Sequence, residues 1–212
     1  MRTALLSAAL LSSTLVHAAT PIDGLYTSVF GGYTYLPNNI SLTTNGVTRT
    51  DSEYNSCFNA GGSIGYKSTP LRYEAQVTYL TAELDKFKIN GVSQTSVRGH
   101  SNGLLTLANV YYDLPVIVDP LQPYVGVGLG YAWVRAKLES SGPTVATAYT
   151  GSNSVFAYQA TAGITYNFAE NYALNLGYRY IGTERPNDLG KVFQAHLANL
   201  EVVYRFGEAN YK

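Results

Sequence analysis

Nine residues, YALNLGYRY from Tyr172 to Tyr180, alternate with a period of two. Tyr172, Leu174, Leu176, Tyr178 and Tyr180 fall on one face, and Ala173, Asn175, Gly177 and Arg179 fall on the other. That period belongs to an extended strand, whose successive side chains point to opposite sides. The apolar face starts and ends in tyrosine and carries leucine between. Tyrosine favours the boundary between water and hydrocarbon, and leucine favours the hydrocarbon, so this face has the profile of a wall that crosses a lipid layer.

The same alternation recurs in eight segments, each bounded by turn residues. They cover about 24–36, 54–67, 70–84, 102–114, the run around 125–133, 153–168, 172–180 and about 194–207. The apolar parity places an aromatic girdle against lipid: Tyr33, Tyr35, Tyr66, Tyr73, Tyr79, Tyr112, Tyr131, Trp133, Phe156, Tyr158, Tyr166, Tyr172, Tyr178, Tyr180, Tyr204 and Phe206. The opposite parity carries glycines and six charged residues, Arg72, Glu74, Asp113, Arg179, Glu201 and Arg205.

The connections between segments alternate in length. Short links fall at Lys67-Ser68-Thr69-Pro70, at a link ending in Asp119-Pro120, and near Asn167 to Asn171. Between them lie long polar stretches at about 37–53, 85–101, 139–152 and 183–193. Short turns on one side and long loops on the other are the pattern of an outer-membrane barrel, with both termini in the periplasm and the loops outside the cell. In hydrocarbon every backbone N–H and C=O needs a protein partner, so the last segment must pair with the first. The expected fold is all-β: an eight-stranded antiparallel transmembrane up-and-down β-barrel over residues 24–207, with a short tail at 208–212. Eight strands enclose a lumen just wide enough for side chains to fill. The six inward charges are therefore expected to form a carboxylate–guanidinium network there, since an unpaired buried charge is strongly unfavourable.

The first residues read as an export signal rather than as part of the fold. Met1 and Arg2 give a basic start, an apolar run follows from Ala4 to Val16, and Ala18 and Ala19 offer small residues for cleavage after 18 or 19. Removing Arg2 leaves 13 Lys+Arg against 14 Asp+Glu, a net charge near −1. No basic excess points to nucleic acid. Cys57, as a single cysteine, cannot form an internal disulfide and is expected to pack as a small buried side chain.

Together NAGGSIGYK (59–67), RYEAQVTYL (72–80), ANVYYD (108–113), QPYVGVGLGYAW (122–133), LNLGYRYI (174–181) and LEVVYRF (200–206) give a pattern that resembles the small OmpA-like outer-membrane β-barrel proteins, including opacity-type surface antigens of Gram-negative bacteria. The resemblance covers about residues 24–206. It implies a mostly non-enzymatic surface protein of the outer membrane with no cofactor. Its partners would be outer-membrane lipid and lipopolysaccharide, the outer-membrane assembly machinery, and a host or extracellular ligand met through the loops. Members often end in a terminal aromatic, whereas here Phe206 is followed by Gly207 to Lys212.

Other motifs give weaker signals. Gly126, Gly128 and Gly130 fail the nucleotide-loop spacing, because Tyr131 stands where the third glycine belongs. His100, Ser101 and Asp113 suggest an outer-membrane enzyme such as a lipid A deacylase, the alternative reading beside a narrow channel. Adjacent residues of a strand point apart, however, and Asp113 lies about 35–40 Å along the chain from an outer-rim site at roughly 3.3 Å per residue. His196 has no evident partners for a metal. Asp51, Glu53, Asp85, Lys86 and Lys88 read as solvated loop charges rather than a Ca²⁺ site. A soluble lipocalin-like barrel would invert the parity, with the apolar face inside.

Overall fold

The computed structural model describes residues 21–37, 39–42, 49–89, 92–93, 95–116, 118–141, 146–184 and 194–207. Its strands are β1 (Gly24–Tyr35), β2 (Asn39–Leu42), β3 (Arg49–Ser68), β4 (Leu71–Ile89), β5 (Val92–Ser93), β6 (Thr95–Asp113), β7 (Leu121–Ser141), β8 (Ala146–Asn167), β9 (Tyr172–Thr183) and β10 (Gln194–Arg205). All pairings are antiparallel. The order runs β3-β1-β10-β9-β8-β7-β6-β4, and β3 pairs with β4 to close the ring. The short β2 and β5 add to β3 and β4 outside that ring. The result is a closed barrel of eight staves, as the alternation requires.

Closure rests on the pairing of β1 with β10, from Tyr26 opposite Arg205 to Tyr35 opposite His196. No stave keeps a free edge along this ladder, so the backbone polar groups are satisfied without water. Three short links join the staves at one end, here the turn end: Thr69-Pro70, residues 114–120 and residues 168–171. The other four connections, from Tyr35 to Arg49, Ile89 to Thr95, Ser141 to Ala146 and Thr183 to Gln194, all lie at the other, the loop end.

The strands differ from the sequence reading in length. Much of what reads as loop continues the ladder: β3 starts at Arg49, β4 runs to Ile89, β6 starts at Thr95, and β7 and β8 pair out to Ser141 and Ala146. Polarity marks where a strand leaves hydrocarbon, but an antiparallel hairpin can go on pairing in water. In this extension Asp51 stands in register with Lys88, and Glu53 with Lys86.

The outer wall is apolar. Val29, Val127 and Leu176 are 65–66% exposed, and none of the inward charges matches them. Inside, the residues change character with depth. Most charged side chains occupy the turn end, amides and hydroxyls such as Asn59, Gln76, Thr78, Asn109 and Gln159 the middle, and mainly apolar side chains, with Thr34 and Thr183 among them, the loop end. That last layer joins Leu36, Cys57, Leu80, Leu105, Leu107, Ala132, Ala157, Ile181, Ala195 and Leu197 in one buried cluster, to which every stave or its immediate extension contributes. Two glycines let side chains cross this narrow space. A Cβ on Gly163 would lie 2.6 Å from the Tyr124 hydroxyl and 2.6 Å from the Leu176 carbonyl oxygen, and a Cβ on Gly177 would also lie 2.6 Å from that hydroxyl.

Candidate functional site

Most charged groups of the described residues gather in the turn half of the lumen, while Arg179 is rooted higher, in register with Leu197 of the apolar layer. Arg72, Glu74, Asp113, Arg179, Glu201 and Arg205 all point inward and are 3–7% exposed. They do not form a single network. Arg72 and Asp113 do pair: Arg72 Nε lies 2.9 Å from Asp113 Oδ1, though not aligned as a hydrogen bond. The second partner of Asp113 is Lys67, whose Nζ donates to Oδ2 at 2.9 Å. Lys67 has the inward parity of Ser63 and Gly65, and that parity was the signal that could have found it.

Glu74 is held by neutral donors. Tyr26 donates to its Oε2 at 3.0 Å, and Tyr111 and Asn109 donate to its Oε1 at 3.1 and 3.3 Å. Glu201 accepts from Asn175 at 2.9 Å, and Arg205 donates to Asn167 at 2.8 Å. The Arg72 guanidinium stacks between the rings of Tyr111 and Tyr124, at 5.0 and 4.7 Å. Arg179 lies 4.0 Å over the ring of Phe30. Among the described residues, then, rings and amides hold most of these charges, and Asp113 holds two cations. Tyrosines turned inward account for the difference from a pure carboxylate–guanidinium network, since aromatic faces and phenol hydroxyls both stabilise buried charge.

The outward aromatics sit in two bands. Toward the turn end, Tyr166, Phe168, Tyr172, Tyr204 and Phe206 form a run of neighbouring rings with centroids 5.0–6.3 Å apart. Tyr66, Tyr73 and Tyr112 stand at the same end. Toward the loop end stand Tyr33, Tyr35, Tyr79, Tyr131, Trp133, Phe156, Tyr158, Tyr178 and Tyr180. His196 joins this second band: its Nδ1 and the Tyr178 hydroxyl are 2.5 Å apart, and its ring lies 5.4 Å from that of Tyr180.

Asp113 stands apart from the other two residues of the deacylase reading. Asp113 closes β6 at the turn end, bound to Lys67 and Arg72. Ser101 and His100 belong to the same strand, in backbone register with Ala82 and Glu83, and their side chains lie outside the described residues. The side chains of Asp51, Glu53, Asp85, Lys86 and Lys88 also lie outside them. No cluster of three metal-ligating side chains occurs among the described residues.

A closed barrel of eight antiparallel staves, apolar and aromatic-banded outside and with its charged and amide side chains turned inward, defines the class of integral outer-membrane β-barrels. The chain belongs to the outer membrane protein β-barrel domain family, whose model matches residues 3–206. It is 31% identical over 206 residues to an outer membrane protein of Gluconacetobacter diazotrophicus, covering 86% of this chain and 53% of that one. It is 30% identical over 154 residues to the opacity protein opA58 of Neisseria gonorrhoeae, covering 58% of each. The chain thus spans about half the length of these curated relatives (53% and 58%). Among solved structures, it matches OprG of Pseudomonas aeruginosa with a TM-score of 0.56 at 13% identity, covering 88% of this chain and 99% of that one. Neisserial surface protein A matches with a TM-score of 0.54 at 19% identity, covering 86% and 97%. The protein is located in the outer membrane, embedded in its lipid.

Proposed function

We propose that this protein is a non-enzymatic surface barrel that presents four loops to the cell exterior, as an antigen, an adhesin or an envelope-stabilising protein. The observation that carries the reading is the asymmetry of the ends: links of two to seven residues join the staves close to the aromatic band at one end, whereas at the other polar hairpins run on past the band, as β7 and β8 do to Ser141 and Ala146. In outer-membrane barrels the short turns face the periplasm and the long loops face outward. A rigid, internally filled scaffold leaves recognition to its loops. A relative that bears the name opacity protein fits the same role. The ligand would be a host or extracellular molecule that engages 37–53, 85–101, 139–152 or 183–193.

Two further parts of the reading concern how the chain reaches the membrane. Residues 1–18 serve as the export signal, with cleavage after Ala18 or Ala19. The outward Phe206, whose N–H bonds to the Leu25 carbonyl oxygen just after β10, is the aromatic offered to the assembly machinery. The outer bands meet lipid and lipopolysaccharide at the two interfaces.

Deleting each loop in turn and comparing whole-cell binding tests the surface role. Loss of binding with one loop, with the barrel still folded, supports it. Unchanged binding with all four removed contradicts it. An epitope inserted at Thr69-Pro70 tests orientation: antibody should reach it only after the outer membrane is permeabilised.

A further inference from the structure

The lumen changes character along its axis, and the loop-end layer is as informative as the charged one. Leu36, Cys57, Leu80, Leu105, Ile181 and Leu197 come from six different staves or their extensions, and all are 0–7% exposed. Small alanines from the two remaining staves complete the circuit. These side chains are inside the barrel, opposite in parity to the lipid-facing wall, so lipid contact does not account for them. Just below, the lumen is polar and incompletely paired within the protein: Thr161 Oγ1, Arg179 Nη1 and Gln159 Oε1 are buried with no protein partner, and they include both donors and acceptors. Groups of that mixed kind are satisfied by water.

We propose that the apolar ring is a septum that closes the lumen to ions, with a hydrated polar chamber beneath it. A hydrophobic constriction blocks permeation by excluding water, since an ion that enters it loses its hydration and finds no dipole in return. The charged turn end has a different character. Its cations, carboxylates and amides offer an ion partners in place of lost water, so the barrier to permeation lies at the ring. The inference stands on the barrel interior and is independent of what the loops bind.

Cys57 is a natural reporter, because it lies in the ring and is the only cysteine of the chain. In the parent protein, folded in lipid vesicles, a charged water-soluble thiol reagent should modify Cys57 at least about tenfold more slowly than in the urea-unfolded chain. Leu105→Asn and Leu197→Asn, each verified as folded by its gel mobility before heating, should raise that rate and give discrete openings in planar bilayers. Asp113→Asn, verified as folded by the same gel mobility, should leave both readouts as in the parent. Rapid Cys57 labelling or steady conductance in the parent would overturn the proposal. So would folded septum variants that stay silent and protected, or openings produced by Asp113→Asn alone. If neither asparagine variant folds, the parent labelling rate and the Asp113→Asn recording still decide the matter.

Discussion

Lys67 and Asp113, 46 residues apart in the chain, meet at the turn end of the lumen with Nζ 2.9 Å from Oδ2. Both are nearly fully buried, and the other carboxylate oxygen of Asp113 faces Arg72. One carboxylate therefore balances two cations that sit on neighbouring staves, β3 and β4. Asp113→Asn leaves both cations without their counter-charge, which costs about 3–5 kcal/mol where a buried pair is broken. Urea titration of the barrel in lipid vesicles should show this loss. Adding Lys67→Met to Asp113→Asn should recover part of it.

The tightly crossed glycines predict a sharp contrast. A methyl group on Gly163 would overlap the Tyr124 hydroxyl and the Leu176 carbonyl oxygen, both at 2.6 Å. Gly163→Ala should destabilise the barrel by about 1–3 kcal/mol, as overpacking does. Gly31, whose Cβ would meet only the Asn59 carbonyl oxygen at 3.6 Å, should accept alanine with little change. The same urea titration compares the two.

The outer wall predicts a depth dependence. Leu176 stands opposite Leu200 and Ile164, in the middle of the apolar belt. Leu176→Arg should cost about 2–4 kcal/mol, and Tyr204→Arg in the turn-end band about 0–1 kcal/mol. Equal costs at the two depths would mean that the belt does not face hydrocarbon.

Removal of the outward aromatic that follows β10 should act on assembly more than on stability. Phe206 packs against Tyr204 with ring centroids 5.0 Å apart on the outer surface. Phe206→Ala should slow the appearance of folded protein in cells, while its unfolding in vesicles shifts by about 1 kcal/mol or less, as for a surface substitution away from the core. Pulse-chase sampling of heat-modifiable mobility reads the first effect.

The staves and their parity were legible in the sequence because one face of each meets a single solvent, hydrocarbon, along its whole length. Tyr172 to Tyr180 shows this directly. Depth inside the lumen was less legible. Parity states that Arg72, Tyr111 and Leu105 share the inner face, but not that the first two stack while the third joins an apolar ring. Lys67, Tyr26 and Tyr124 carry a weaker signal because each lies near a strand end, where polar and aromatic residues also suit a turn or an interface. Strand length is not legible at the loop end, since the polar residues from Arg49 to Glu53 leave the hydrocarbon without leaving the sheet.

The central claim is that the odd and even faces of each stave meet different media, and spin-label accessibility along β9 tests it most directly. In a Cys57→Ser background, single cysteines from 172 to 180 would be labelled in lipid vesicles and relaxed with oxygen and with a water-soluble nickel chelate. The account predicts oxygen maxima at 172, 174, 176, 178 and 180, with the nickel effect lowest at 176. Oxygen maxima on 173, 175, 177 and 179, or no alternation at all, would contradict it.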